Sequence, residues 1–336
     1  MAGIQEVADL AGVSTATVSR SLSGNGHVSE STRDRVKAAA DELGYVVSSN
    51  ASSLATGRTK NVGVVIPHLN KWFYSTVIEG AERALLANGY DLTLYNLGGG
   101  SDERRSVFEH FLLRKRVDAV ITVSLELTDT ELAGLIGLGK PIVGVGGPLH
   151  GVRTLSIDDV GLARLATAHL VSLGHRSIAH IGANRHYERD FNLPSNRRVG
   201  YESALADAGI PVDPSLQREA DFTIAGGYRA AQELLAPARR PTAIFAASDE
   251  MAIGAILAAR EFGLDVPRDV SIIGIDDYEL SDFFGLTTVA QFPGRQGQLA
   301  VEILMEELHP STAGRGPLDT ALPYELVVRS STSAPL

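Results

Sequence analysis

Ser14, Thr15, Ala16, Thr17, Ser19 and Arg20 place four small hydroxyls, one methyl and one cation within seven positions. Hydroxyls and guanidinium groups donate to phosphate oxygens, and small side chains let a helix approach a base edge. Thr15 offers a hydroxyl and a methyl. Ala16 offers only a methyl, suited to the C5-methyl of thymine. Arg20, a turn further on, can reach a guanine or a phosphate. Neither Thr15 nor Ala16 can make a bidentate contact, so base reading by this pair is expected to be permissive. Ser14, Thr17, Ser19 and Asn25 are the candidate phosphate donors. A second kind of chemistry is marked by Asp276, a carboxylate at the end of the apolar run SIIGID. Doubly wound folds bind ligands at such strand ends.

The elements that must hold the first group are two short helices. Ile4, Val7, Ala8 and Ala11 follow a helical period before Gly12 breaks it, and Ser14 is placed to cap a second helix over Thr15–Ser21. Two short helices joined by a glycine-containing turn form a helix-turn-helix, whose second helix enters the major groove of DNA. A helical hairpin that only packs on a core is the other reading of the same residues. Val7, Ala8, Val13 and Val18 read as packing between the helices. Ser29 to Leu43 predicts a third helix, capped by Ser29, lined by Val36, Ala39, Ala40 and Leu43, and ended by Gly44. Residues 48–59, SSNASSLATGRT, are too polar to fold alone and read as a linker.

From Asn61 onward the character changes. The apolar run NVGVVIP predicts a buried strand. Helices near 74–88, 102–115, 128–138, 159–173, 196–208, 226–235 and 249–262 then alternate with strands near 90–95, 118–123, 141–145, 177–181, 242–246 and 270–275, and 318–329 supplies closing strands. This alternation predicts parallel, doubly wound sheets. A pattern of this length fits two α/β lobes with a ligand cleft between them better than one sheet. Crossings are expected near 157–159 and 289–293. Helices 74–88 and 249–262 are candidate dimer contacts.

Composition narrows the function. Residues 1–60 carry Arg20, Arg33, Arg35, Lys37, Arg58 and Lys60 against Glu6, Asp9, Glu30, Asp34, Asp41 and Glu42, so the whole net charge of −10 lies beyond them. Non-specific coating of nucleic acid is excluded, and DNA binding must rest on placement of charges and on two copies. With no cysteine, thiolate catalysis and disulfides are out. No apolar run approaches a membrane span and no signal segment is evident, so a cytoplasmic protein is expected. His169, His175 and His180 read as surface or capping residues, and the histidines lack metal spacing, so no metal and no cofactor is expected. The Gly98–Ser101 run lacks phosphate-loop spacing, and no nucleophile elbow occurs, so no catalytic residue is assigned.

The phrases VADLAGVSTATVSRSLSG and HVSESTRDRVKAAADELGY, with VGVVIP, SIDDVGLARLATAHLVSLGHRSIAHIG, RPTAIFAASDEMAIGAILAAREFGLDVPRDVSIIGIDD and LTTV, resemble the lactose-repressor/galactose-repressor family over nearly the whole chain. The resemblance implies a three-helix DNA-binding head (1–47), a hinge helix (48–59) and a two-lobed core of periplasmic-binding-protein type (60–330). It puts lobe 1 at about 60–158 and 290–318, and lobe 2 at about 159–289 and 319–330. It also implies that Leu54 wedges into the minor groove, where apolar side chains kink DNA. Ala55 stands where the family often has lysine.

In the core the resemblance implies effector contacts from Trp72, Phe73, Tyr74, Ser124, Arg197, Phe222, Ser248 and Asp276. Two departures border that cleft. Gly146-Gly147 replaces an aspartate found in several members, and the loop 184–196 is long. The expectation is a homodimeric transcriptional repressor that binds a pseudo-palindromic operator and is modulated by a small-molecule effector. A sugar is the first effector class and a nucleoside or purine the alternative. A sugar-binding protein without a DNA role is the more distant reading.

Overall fold

The computed structural model describes residues 2–23, 27–45, 57–97, 101–112, 116–183, 191–310 and 316–336. It divides into two compact units, residues 1–60 and 61–336. Asn25, Leu54, Ala55 and most of the expected hinge lie outside the described residues.

The first unit is built from α1 (Ile4–Ala11), α2 (Thr15–Ser23) and α3 (Glu30–Glu42). Gly12 ends α1 at φ 64°, a conformation glycine adopts without steric cost. Ser14 then caps α2 by accepting the Thr17 amide at 3.2 Å, and Ser29 caps α3 by accepting that of Thr32 at 3.3 Å. Val7, Ala8, Ala11, Val18, Val36, Ala39 and Ala40 form the shared core, with Val13, Leu22, Leu43 and Tyr45 packed against it.

The second unit holds two six-stranded sheets. The first has the order β2 (Asp91–Asn96), β1 (Asn61–Ile66), β3 (Ala119–Val123), β4 (Ile142–Gly146), β5 (Arg153–Ser156) and β11 (Asp319–Ala321), all parallel. The second has the order β7 (Gln217–Ala220), β6 (Ile178–Ala183), β8 (Ala243–Ala246), β9 (Ser271–Asp276), β10 (Thr287–Ala290) and β12 (Glu325–Val327). Only β12 runs antiparallel to its neighbour. Central strands such as β1, β3 and β8 are buried on both faces, which is why they read as continuous apolar runs.

The helices of the first lobe are α4 (Trp72–Ala87), α5 (Ser101–Ser106, continued by a π turn over Val107–Phe111), α6 (Asp129–Gly137) and, returning late in the chain, α12 (Pro293–Leu308). Those of the second are α7 (Asp159–Ser172), α8 (Leu193–Asp207), α9 (Ile224–Leu235), α10 (Asp249–Glu261) and the short α11 (Ser281–Phe284).

Several expectations change. The chain crosses between lobes at 157–158 and 291–292, and a third time at 322–324. Residues 319–321 therefore belong to the first lobe, since Asp319–Ala321 pairs with Thr154–Ser156. Helix α12 was not anticipated. The apolar stripe of α10 (Met251, Ala252, Ile253, Ala255, Ile256, Ala258 and Ala259) is buried within its own chain, so it is core. His175 and His180 are also interior. His180 lies between Tyr201 and Phe245 with ring centroids 5.0 Å from each, and burial lowers its pKa to about 4.

Candidate functional site

In the head, Ala16, Ser19 and Arg20 are exposed at i, i+3 and i+4, one face of α2. Val18, on the opposite side, is fully buried and anchors the helix. Thr15 and Thr17 are half-buried at its first turn, and the Ser14 and Thr17 hydroxyls are 3.0 Å apart. Four of the six residues that opened the sequence reading therefore cap or line the solvent side of α2, with Thr15 and Thr17 at its margin.

In the core, the C-terminal ends of strands from both sheets meet at a cavity of about 710 Å³, partly open to solvent. A concave cleft lined by aromatic rings and a few convergent polar groups suits a small-molecule ligand. Phe73, Tyr74, Ser124, Arg197, Phe222, Ser248 and Asp276 all line it. Trp72 does not. Its ring packs on Tyr278 with centroids 4.9 Å apart, a contact between the lobes.

Three of the lining residues sit at positive φ: Ser124 at 43°, Phe222 at 53° and Asp276 at 127°. Such conformations cost energy for residues with a side chain and persist where the surroundings enforce them. At Ser124 the enforcement is visible. A Cβ on Gly146 would lie 2.7 Å from Ser124 Oγ, so the glycine makes room for this serine. Its neighbour Gly147 makes room for the Phe191 ring, only 2.3 Å from where a Cβ would be.

The charged groups are arranged in pairs. Arg197 Nε donates to Asp159 Oδ1 at 2.8 Å and its Nη1 donates to the Ala247 carbonyl at 2.5 Å. Both side chains are deeply buried, and burial outweighs the arginine and holds the Asp159 carboxyl above its usual range. Asp276 accepts from Gln291 Nε2 at 2.5 Å, and Gln296 Nε2 donates to the Gln291 carbonyl at 2.7 Å. Burial, reinforced by Asp249 and Glu250 against the pull of Arg197 and Gln291, pushes the Asp276 pKa to about 8. Glu250 is likewise raised by burial, opposed by Lys71. Lys71 and His68 are lowered, chiefly by burial. Ser248 caps α10 by accepting the Met251 amide at 3.3 Å.

His68, Lys71, Asp159, Glu250, Gln291 and Gln296 were not singled out in the sequence. The Arg197 side chain demands a buried carboxylate, and the SIDD phrase supplies one in Asp159. Nothing local marks the other five. Among the described residues, no group of three or more His, Asp or Glu side chains could hold a metal ion, and no helix is long and apolar enough to cross a membrane.

A helix-turn-helix head followed by a two-lobed α/β core with a cleft at its strand ends defines a DNA-binding regulator with a ligand-responsive core. The profile described as "Bacterial regulatory proteins, lacI family" matches residues 3–48, and that of the "Periplasmic binding protein-like domain" matches residues 167–332. The HTH-type transcriptional repressor PurR of Vibrio campbellii is 35% identical over 314 residues, 92% of each chain. A transcriptional regulator CelR–cellobiose complex is 33% identical with a TM-score of 0.70, covering 98% of this chain and 100% of that one. The lac repressor dimer bound to operator and the anti-inducer ONPF is 29% identical with a TM-score of 0.85, over 99% of both chains. The chain belongs to the lacI family of bacterial transcriptional regulators. It is a DNA-binding repressor of that family, and its relatives are repressors rather than enzymes.

Proposed function

We propose that this repressor acts as a homodimer on a pseudo-palindromic operator, with an uncharged purine base or nucleoside as its effector. The observation that carries the effector class is the lining of the cleft, where Phe73 and Tyr74 come from one lobe and Phe222 from the other. A flat heteroaromatic ring gains most from aromatic faces on two sides, and its polar edge is met by Arg197 and Asp276. The relatives named PurR, repressors responsive to purines, support the same class over 92% of the chain. This replaces the sugar as the first expectation.

Charge narrows the class further. Arg197 is matched by Asp159 and Lys71 faces Glu250, while at neutral pH an Asp276 with a pKa of about 8 is largely protonated. No surplus cation remains for a phosphate, so nucleotides are disfavoured against the base or nucleoside. A sugar stays as the second reading, because the similar CelR structure holds cellobiose and carboxyl–arginine pairs suit vicinal hydroxyls.

A thermal-shift series with hypoxanthine, guanosine, guanosine 5′-monophosphate, ribose and cellobiose tests the assignment. Hypoxanthine or guanosine should raise the melting temperature and the monophosphate should not. A response to ribose or cellobiose alone would overturn the purine reading.

A further inference from the structure

Lys71 stands at the N-terminus of α4 in the first lobe, and its ammonium reaches the second lobe. Nζ donates to the Asp221 carbonyl at 2.7 Å and to the Phe222 carbonyl at 2.9 Å. These are main-chain acceptors in the turn between β7 and α9, not an exposed carboxylate. Hydrogen bonds from a cation are stronger than neutral ones, and this one is half-buried. The turn it grips is rigid in its own right. Thr223 Oγ1 donates to Asp221 Oδ1 at 2.5 Å and accepts the Gly226 amide at 2.9 Å, capping α9. A Cβ on Gly226 would sit 1.9 Å from Asp221 Oδ1, so the turn closes tightly on itself without Lys71.

The residues that follow divide the work. Trp72 packs on Tyr278 of the second lobe, while Phe73 and Tyr74 line the cleft. Tyr278 is held by its own network, its amide donating to Asp249 Oδ2 at 2.9 Å beside the Ser281 hydroxyl at 2.7 Å. One turn of α4 thus grips two preformed points of the opposite lobe and faces the cleft with its next two side chains.

We propose that Lys71 is a positioning residue for the effector cleft: from the first lobe it holds the Phe222 turn of the second lobe over the site, so that effector binding and lobe closure are one event. The proposal rests on the reading that the cleft holds the effector. Loss of the two hydrogen bonds leaves each lobe's core intact and removes one of the two grips that this turn has on the second lobe.

The chain's single tryptophan, Trp72, reports on the tie without any effector. In the full-length protein, Lys71→Met keeps the stem of the side chain and removes its donors, and Lys71→Arg keeps a cation with several donors. Acrylamide quenching of Trp72 should rise about two- to threefold in Lys71→Met as the Tyr278 contact opens. Affinity for whichever compound of the thermal-shift series binds the parent should fall about 10- to 100-fold. Lys71→Arg should recover most of both, and the melting temperature of the effector-free protein should stay within a degree or so of the parent.

Parent-like quenching and affinity in Lys71→Met would overturn the proposal. So would losses that accompany a lowered melting temperature and are not recovered by arginine, since those mark a purely structural lysine. If no compound of the thermal-shift series binds the parent, the effector reading is what fails, and the quenching comparison still decides whether Lys71 ties the lobes.

Discussion

Asp276 shows how a side chain that lines the cleft can carry a stability cost. It is buried at the end of β9 with one oxygen on Gln291, and its pKa lies near 8 against an ordinary 3.8. Between those values the unfolded chain releases a proton that the folded chain keeps, so stability falls as pH rises across the window. Asp249, raised to about 6 by burial, acts in the same direction. Asp276→Asn preserves the acceptor for Gln291 and removes the titration. Thermal melts from pH 4 to 9 should show a flatter profile for this variant. Near pH 8 it should gain, relative to the parent, on the order of 1 kcal/mol or more. Effector binding near neutral pH should survive, since an amide presents the acceptor and donor of a protonated carboxyl. A variant whose profile parallels the parent would mean that Asp276 ionises normally in the fold.

The Arg197–Asp159 pair behaves differently, because removing one partner strands a buried charge. Asp159→Ala should therefore cost about 3–5 kcal/mol in a urea titration. At this scale the family resemblance made Ser124, Arg197, Phe222, Ser248 and Asp276 legible as cleft-lining residues, and Ser248 and Asp276 sit within its quoted phrases. Lys71, Glu250 and Gln291 were not legible. Lys71 meets its acceptors 150 and 151 positions away, and no periodicity reports such a contact.

At the scale of elements, the first lobe is closed by α4 against α12. Their backbones approach so closely that a Cβ on Gly80 would lie 2.0 Å from the Gly294 carbonyl oxygen, and one on Gly297 would lie 2.0 Å from that of Val77. The glycines explain why α12 escaped the sequence reading. In PGRQGQLAVEILMEEL they look like breakers after a proline, yet they are present because two helices touch backbone to backbone. Gly297→Ala should destabilise the core by about 1–3 kcal/mol, seen as a lower urea midpoint at unchanged slope. The short strands β5, β7 and β10 were missed for a related reason. With four residues each, they carry no alternation long enough to register. The other long helices and the apolar strands, whose pattern reflects burial directly, were read to within a few residues.

At the scale of the molecule, the head and the core divide the work of binding DNA unequally. Residues 1–60 balance six cations with six anions, so phosphate neutralisation gives one head little affinity, and the readers Thr15 and Ala16 are small. The remaining residues carry the full charge of −10 and repel a polyanion. On the proposed homodimer, tight operator binding comes from joining two weak heads; a dimer is the state named for the similar lac repressor structure. Linking two sites turns the second contact into an intramolecular event, a gain of about 10²- to 10⁴-fold over one head. A fragment of residues 1–60 has its own core and should fold. In anisotropy titrations on the same operator it should bind at least about 100-fold more weakly than the full chain. Its dependence on salt should have about half the slope, because half the phosphates are engaged. A fragment that matched the full chain in affinity would show that one head suffices, and that the core regulates binding without strengthening it.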